Sequence, residues 1–137
     1  TSYFKFFSNV MNSTINQMGK NVLVHCSSGI SRSSTLVIAY LMIKQKKTLK
    51  DAYRHVYERR NIILPGKGFF KELMALDSEI HGNNSMGLKE YYAYIVHKSV
   101  KEIYQKDVSY EDCLSKLGET GYNTDNEILQ AISSFIM

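Results

Sequence analysis

His25-Cys26-Ser27-Ser28-Gly29-Ile30-Ser31-Arg32-Ser33 is the stretch on which the reading of this chain turns, because it sets a cysteine and an arginine at the two ends of a short loop. Before it, Asn21-Val22-Leu23-Val24-His25 reads as a buried strand. After it, Ser33-Ser34-Thr35 followed by Leu36-Val37-Ile38-Ala39-Tyr40-Leu41-Met42 reads as a buried helix. The loop therefore ends at a helix N-terminus, where unpaired backbone N–H groups and the positive end of the helix dipole favour an anion. That anion is a bound phosphate, the thiolate of Cys26, or both.

The chemistry follows from this field. A free cysteine titrates near pH ~8.5, and a helix N-terminus with a nearby guanidinium lowers it by roughly 1 to 5 units, so Cys26 is expected as a thiolate. Arg32, six positions on, folds back across the loop and grips two phosphate oxygens with its planar fork, a geometry lysine lacks. The expected phosphate-binding loop is Ser27, Ser28, Gly29, Ile30, Ser31 and Arg32, with His25 supporting it from the strand. Cys26 attacks a phosphate monoester in line, and water hydrolyses the phosphocysteine. Ser33 donates to the sulfur and makes it a better leaving group in that second step.

Each residue also has a plainer reading. Cys26 alone fits a buried small hydrophobe, and Gly29 alone an ordinary turn. The joint pattern of strand, His-Cys, a loop with a central glycine, arginine, two serines and a helix favours the phosphate site.

From about Tyr3 to Ile80 the chain resembles the C-terminal half of the dual-specificity phosphatase catalytic domain. The resemblance rests on Leu23-Val24-His25-Cys26, Gly29-Ile30-Ser31-Arg32-Ser33 and Val37-Ile38-Ala39-Tyr40-Leu41-Met42, and on Asp51-Ala52-Tyr53, Arg59-Arg60, Ile62-Ile63, Pro65 and Phe69. It implies an α/β cysteine-phosphatase fold and removal of phosphate from phosphotyrosine and phosphoserine/threonine in proteins. Phosphoinositide phosphatases of the same superfamily carry basic residues inside the loop, whereas Ser27, Ser28, Ile30 and Ser31 are neutral. A phosphoprotein substrate is favoured. Arg59 and Arg60 are candidates for contact with a second phosphate or with acids flanking the phosphosite; the alternative is a solvated basic helix end.

Two departures from the family pattern stand out. Gly66 follows Pro65 where the family usually has Asn. The family's general acid, an aspartate on a loop before the helix that starts this chain, would lie upstream of Thr1, and Asp51, Asp77, Asp107, Asp112 and Asp125 all lie elsewhere. General acid catalysis contributes about 10²- to 10⁴-fold, so the acid is unassigned and the chain alone is expected to be a weak catalyst.

The chain has 137 residues, 44% of them hydrophobic, enough for a domain with a core. It shows one clear strand and is otherwise mostly helical, so the α/β fold is expected to be incomplete. A strand with apolar side chains on both faces must pair with neighbours. Either the sequence is a fragment lacking upstream strands and the acid loop, or those strands come from another chain. The start on helix-like sequence, with no initiating Met or signal peptide, fits the fragment.

Residues 1–81 are expected as the partial catalytic domain and 82–137 as a helical extension, with Gly82-Asn83-Asn84-Ser85 as the boundary. In the first part, apolar spacing predicts helices over Tyr3–Met18 and Phe69–His81, and from Thr48 as N-cap through Arg60. The basic run Lys44-Gln45-Lys46-Lys47 reads as a solvated helix end. In the second part, Leu88, Tyr92, Ile95, Val96, Ser99 and Ile103 line a helix over about 87–105. Ser109–Asp112 opens a shorter helix ending near Gly118, and Thr124–Glu127 is a capping box opening the last. The extension covers the domain or binds a protein partner; its Leu-Gly spacing resembles small three-helix ubiquitin-binding modules, beside the plainer reading of a structural add-on. Cys113 reads as a buried thiol.

Two cysteines without paired spacing, one of which must stay reduced, indicate an intracellular compartment, cytoplasmic or nuclear. Four dispersed histidines argue against a metal, and no cofactor is implied. No apolar run is long enough to span a bilayer. The net charge of +4 suits phosphorylated partners without implying nucleic acid. Against the phosphatase stand a phosphoprotein-binding module with little turnover and a sulfur-transfer domain, the latter disfavoured by Arg32 and the serine pair.

Overall fold

Residues 2–17, 31–59 and 65–136 are described in this computed structural model, and they form seven α-helices with no strand among them. The expected strand Asn21–His25 lies outside the described residues. The chain divides into two compact units, Thr1–Ser85 and Met86–Met137.

The first unit is built on α2 (Ser31–Lys44). Its apolar residues run nearly all round the helix, the pattern of an element packed on several sides, and Ile38, Ala39 and Met42 are wholly buried. Three helices pack on it: α1 (Ser2–Asn12), α3 (Leu49–Arg59) and α4 (Lys67–His81). α1 contributes Phe4, Ser8 and Met11, α3 Leu49, Ala52 and Tyr53, and α4 Phe70, Leu73 and Leu76. Tyr53 meets Phe70 edge to face at 6.0 Å between centroids, a favoured aromatic geometry.

α1 is shorter than its apolar stripe predicts. After Asn12 it widens into a π-helical turn, Ser13–Gln17, and Met18 lies outside the described residues. The Thr14 hydroxyl donates to the Val10 carbonyl at 3.0 Å, the back-bonding that competes with the α ladder and bends helices.

The start of α3 is fixed by side chains from three places. Its first N–H, Leu49, donates to Asp77 Oδ1 of α4 at 3.1 Å; the second, Lys50, donates to Ser85 Oγ at 3.0 Å; the third, Asp51, donates to Thr48 Oγ1 at 3.2 Å. Orphan N–H groups at a helix start need such partners. Asp77 is wholly buried, and its second oxygen accepts from Ser85 N at 2.6 Å and Ser85 Oγ at 2.8 Å. α4 ends at Gly82, whose φ of 83° is the left-handed conformation that glycine adopts without strain. α2 ends in the same manner on Lys46, φ 57°, with Lys47 N–H closing on Leu41 O at 3.3 Å.

The second unit is a three-helix cluster: α5 (Leu88–Lys98), α6 (Tyr110–Thr120) and α7 (Asp125–Ile136). Ala93, Val96, Val100, Cys113, Leu117, Ile128 and Ala131 form its core. α5 passes into a π-helical segment, Ser99–Ile103, and this corrects the expected stripe. The wider turn slides the register, so Val100 stays buried while Ile103 is 70% exposed. α6 starts at the expected cap, Ser109 Oγ accepting from Asp112 N at 3.0 Å, and runs to Thr120 rather than Gly118. α7 opens on the expected capping box: Glu127 N donates to Thr124 Oγ1 at 3.2 Å, and Glu127 Oε1 accepts from Thr124 N at 3.0 Å. No described helix is long and apolar enough to cross a membrane.

Asp77→Ala is expected to lower the stability of the first unit by about 2–4 kcal/mol, because the N–H groups of Leu49 and Ser85 lose their acceptor. Asp77→Asn, which keeps one acceptor oxygen, is expected to lose less. Urea unfolding of the three proteins measures this, and equal midpoints would contradict it. In the second unit, burial first and the Lys101 cation second push the His97 imidazole below its ordinary value, with the Val108 backbone, Glu111 and Asp107 opposing. The fold thus favours neutral His97, so its contribution is complete above about pH 6.5 and is lost as pH falls through the lowered value. Thermal melting should drop between about pH 7.5 and pH 5.5, and less so in His97→Gln.

Candidate active site

α2 begins at Ser31, two residues before the start its apolar pattern suggests. Helix starts blur in this way because first-turn N–H groups have no intrahelical partner. Arg32 and Ser33 therefore sit on the first turn itself. That turn holds no acidic residue, so no carboxylate competes there for the positive end of the dipole. Arg32 is exposed. Ser33, Ser34 and Thr35 are buried, to 7%, 6% and 1% exposure.

Of the other expected site residues, His25, Cys26, Ser27, Ser28, Gly29, Ile30 and Arg60 lie outside the described residues, and Ser31 is described by its backbone alone. Arg59 closes α3 and donates from Nη1 to the His55 carbonyl at 3.2 Å, the part of a basic residue at a helix C-terminus. It remains exposed. His55, partly buried, is held below its ordinary value by burial first, then by the Arg59 and Lys47 cations, with Glu58 opposing.

Pro65 is buried, and Gly66 occupies the N-cap of α4 with extended backbone, φ −62° and ψ 158°. Glycine brings no side-chain oxygen to this position, where Asn is among the best caps. The departure from the family's Pro-Asn pattern thus has a local consequence: α4 starts without a side-chain cap.

The sequence pattern does not single out Asp77 as a positioning residue. Its signal was there: the acid stands on the stripe of Phe70, Leu73, Leu76 and Ile80 that faces the core, where a charge needs hydrogen bonds. By capping α3 it fixes the helix that ends at Arg59. Cys113 is wholly buried, and burial first, with Asp112 adding, pushes its thiol up to about 11. It is a packing residue. Among the described residues no group of His, Cys, Asp and Glu is placed to hold a metal ion.

Residues 1–79 match a family model described as the dual specificity phosphatase catalytic domain. Among similar proteins, a putative tyrosine phosphatase 123R of Invertebrate iridescent virus 6 is 46% identical over 67 residues, which is 49% of this chain and 47% of that protein. Dual specificity protein phosphatase 26 of Bos taurus is 41% identical over 78 residues, 57% of this chain and 36% of that protein. A protein phosphatase Slingshot homolog of Xenopus laevis is 50% identical over 60 residues, 44% of this chain and 9% of that protein. The chain spans less than half the length of each of these relatives.

In the Cys26→Ser chain, Cys113 is expected to resist alkylation by iodoacetamide at neutral pH until the protein unfolds, since the thiolate is the reactive form. Mass spectrometry with and without urea reads this; fast labelling of the native protein would show that the thiol is open.

Proposed function

We propose that this chain, which belongs to the dual specificity phosphatase family, carries the nucleophile-bearing part of a protein phosphatase that acts on phosphotyrosine and phosphoserine/threonine. The observation that carries the reading is the start of α2: an exposed Arg32 on a first turn free of carboxylates, entered directly from the segment that holds Cys26.

In this reading the Cys26 thiolate attacks phosphorus, a sulfur–phosphorus bond forms, and the ester oxygen–phosphorus bond breaks. The leaving oxygen takes a proton from a general acid that is not assigned to a residue. Water then attacks the phosphocysteine, releasing inorganic phosphate and restoring the thiolate. Arg32 and the N–H groups of residues 27–32 bear the negative charge on the phosphoryl oxygens in both steps. Ser33 assists departure of the sulfur, and Arg59 and Arg60 are candidates for flanking acidic groups on the substrate.

We also read the complete fold as α/β, with Asn21–His25 as a strand of its sheet, residues 1–81 as part of the catalytic domain and 82–137 as an extension for a protein partner. Phe6 and Val10, exposed at 63% and 49% on one side of α1, present an apolar face of the kind a sheet covers. A catalytic thiolate needs a reducing compartment, which supports an intracellular location. A second reading, a phosphoprotein-binding module, stands beside it, since the general acid is unassigned.

An aryl phosphate tests the reading, because its leaving group needs little protonation. Phenol release is expected from the chain, to vanish in Cys26→Ser, and to fall about 10²- to 10³-fold in Arg32→Lys, which loses the bidentate grip. Release that survives Cys26→Ser would overturn the assignment. Tight phosphotyrosine-peptide binding without release would establish the binding module instead.

A further inference from the structure

The basic run at the end of α2 borders a cavity. In the first unit a cavity of about 410 Å³ has Ile43 of α2 and Leu76 and Ile80 of α4 as its apolar floor, and Lys5, Lys46 and Glu79 at its rim. That volume lies within the roughly 300–1,000 Å³ of ligand-binding clefts. Lys5 Nζ reaches Glu79 Oε1 at 2.6 Å, both side chains about half exposed, at 50% and 46%. Beside it, Lys44 Nζ donates to Asn9 Oδ1 and ties α2 to α1.

Lys46 differs from the other rim groups. Its φ of 57° lies in the left-handed region that favours glycine, so the backbone at this helix end would be relieved by a residue without a side chain. Lysine stands there instead. Its side chain is exposed, at the rim of the cavity, and makes no hydrogen bond or ion pair among the described residues. Glu79, the one carboxylate among the lining residues, is already bridged to Lys5, which leaves Lys46 as the lining cation without a counter-charge among the described residues. Cationic rim and aliphatic floor together ask for an occupant that is apolar at one point and acidic next to it. An inorganic anion would leave the floor unused.

We propose that this cavity is a docking site for an acidic linear segment of a protein partner, one aliphatic side chain seated on Ile43, Leu76 and Ile80 and the neighbouring carboxylate on Lys46. The partner is the phosphoprotein substrate, and that clause alone rests on the phosphatase reading. Docking outside the catalytic loop adds affinity for the substrate without changing the chemistry at Cys26.

The test is fluorescence anisotropy with the full 137-residue chain and a fluorescein-labelled peptide of alternating glutamate and leucine that carries no phosphate. Saturable binding is expected, and little with alternating lysine–leucine or glutamate–serine peptides. Lys46→Gly should weaken binding about tenfold, the loss of one charge-assisted contact, while Lys46→Arg retains it. Because glycine suits the left-handed position, Lys46→Gly should melt no lower than the wild type, so its lost affinity is not a folding defect. Unchanged binding in Lys46→Gly, equal binding of the glutamate–serine peptide, or no saturation up to millimolar peptide would overturn the proposal. Cys26→Ser is expected to bind the peptide as the wild type does. Peptide binding without aryl phosphate turnover would thus sink the phosphatase and support the docking site, and turnover without binding would do the reverse.

Discussion

The buried carboxylate of Asp77 is the contact on which the order of the first unit depends. One oxygen accepts the first N–H of α3; the other holds Ser85, whose hydroxyl accepts the second N–H of the same helix. A helix start is an electropositive end with unpaired donors, so a buried carboxylate there is both hydrogen-bonded and favoured by the dipole. α3, α4 and the end of the unit at Ser85 are thereby joined at one point. That point is remote in sequence from Cys26. The helix it caps, α3, packs on α2 and ends at Arg59.

What the sequence made legible follows the range of the interactions. Caps are local, and Thr48, Ser109 and the Thr124–Glu127 box all stand where their spacing puts them. The buried character of α2 is also local, since it is written in one continuous apolar run. Asp77 was not legible as a tie, because its partners at Leu49 and Ser85 are 28 and 8 residues away. Nor were the π-helical turns. A stripe drawn at a fixed 3.6-residue period carries Ile103 into the core, while one extra residue in the turn carries it out. The expected phosphate-binding loop is the reverse case: it is the clearest feature of the sequence, yet of its residues only Arg32 and the backbone of Ser31 fall within the described part.

Residue type alone does not make a cysteine a nucleophile; its surroundings do. Cys113 sits between α-helices in a core with Val96, Leu117 and Ile128, where desolvation disfavours the thiolate and the adjacent Asp112 adds to the effect. Cys26 precedes a helix start with a guanidinium and no carboxylate in its first turn. On the proposed function that helix start favours the Cys26 thiolate, whereas the core of the second unit disfavours the Cys113 thiolate.

The two ends of α2 then acquire different duties. On the proposed function its N-terminus carries the phosphate site, and its C-terminal turn, with Lys46, borders the cavity proposed for docking. With 14 residues in the helix and a rise of about 1.5 Å each, the ends lie roughly 21 Å apart. An extended peptide covers at most about 3.3–3.6 Å per residue, so a substrate engaging both must place at least about six residues between its acidic anchor and its phosphorylated side chain. A shorter spacing leaves the two contacts mutually exclusive, and a much longer one dilutes the gain, since effective concentration falls with linker length. If both proposed sites are engaged, the rigidity of α2 makes it a ruler that favours substrates by the distance between two features rather than by the sequence around the phosphate.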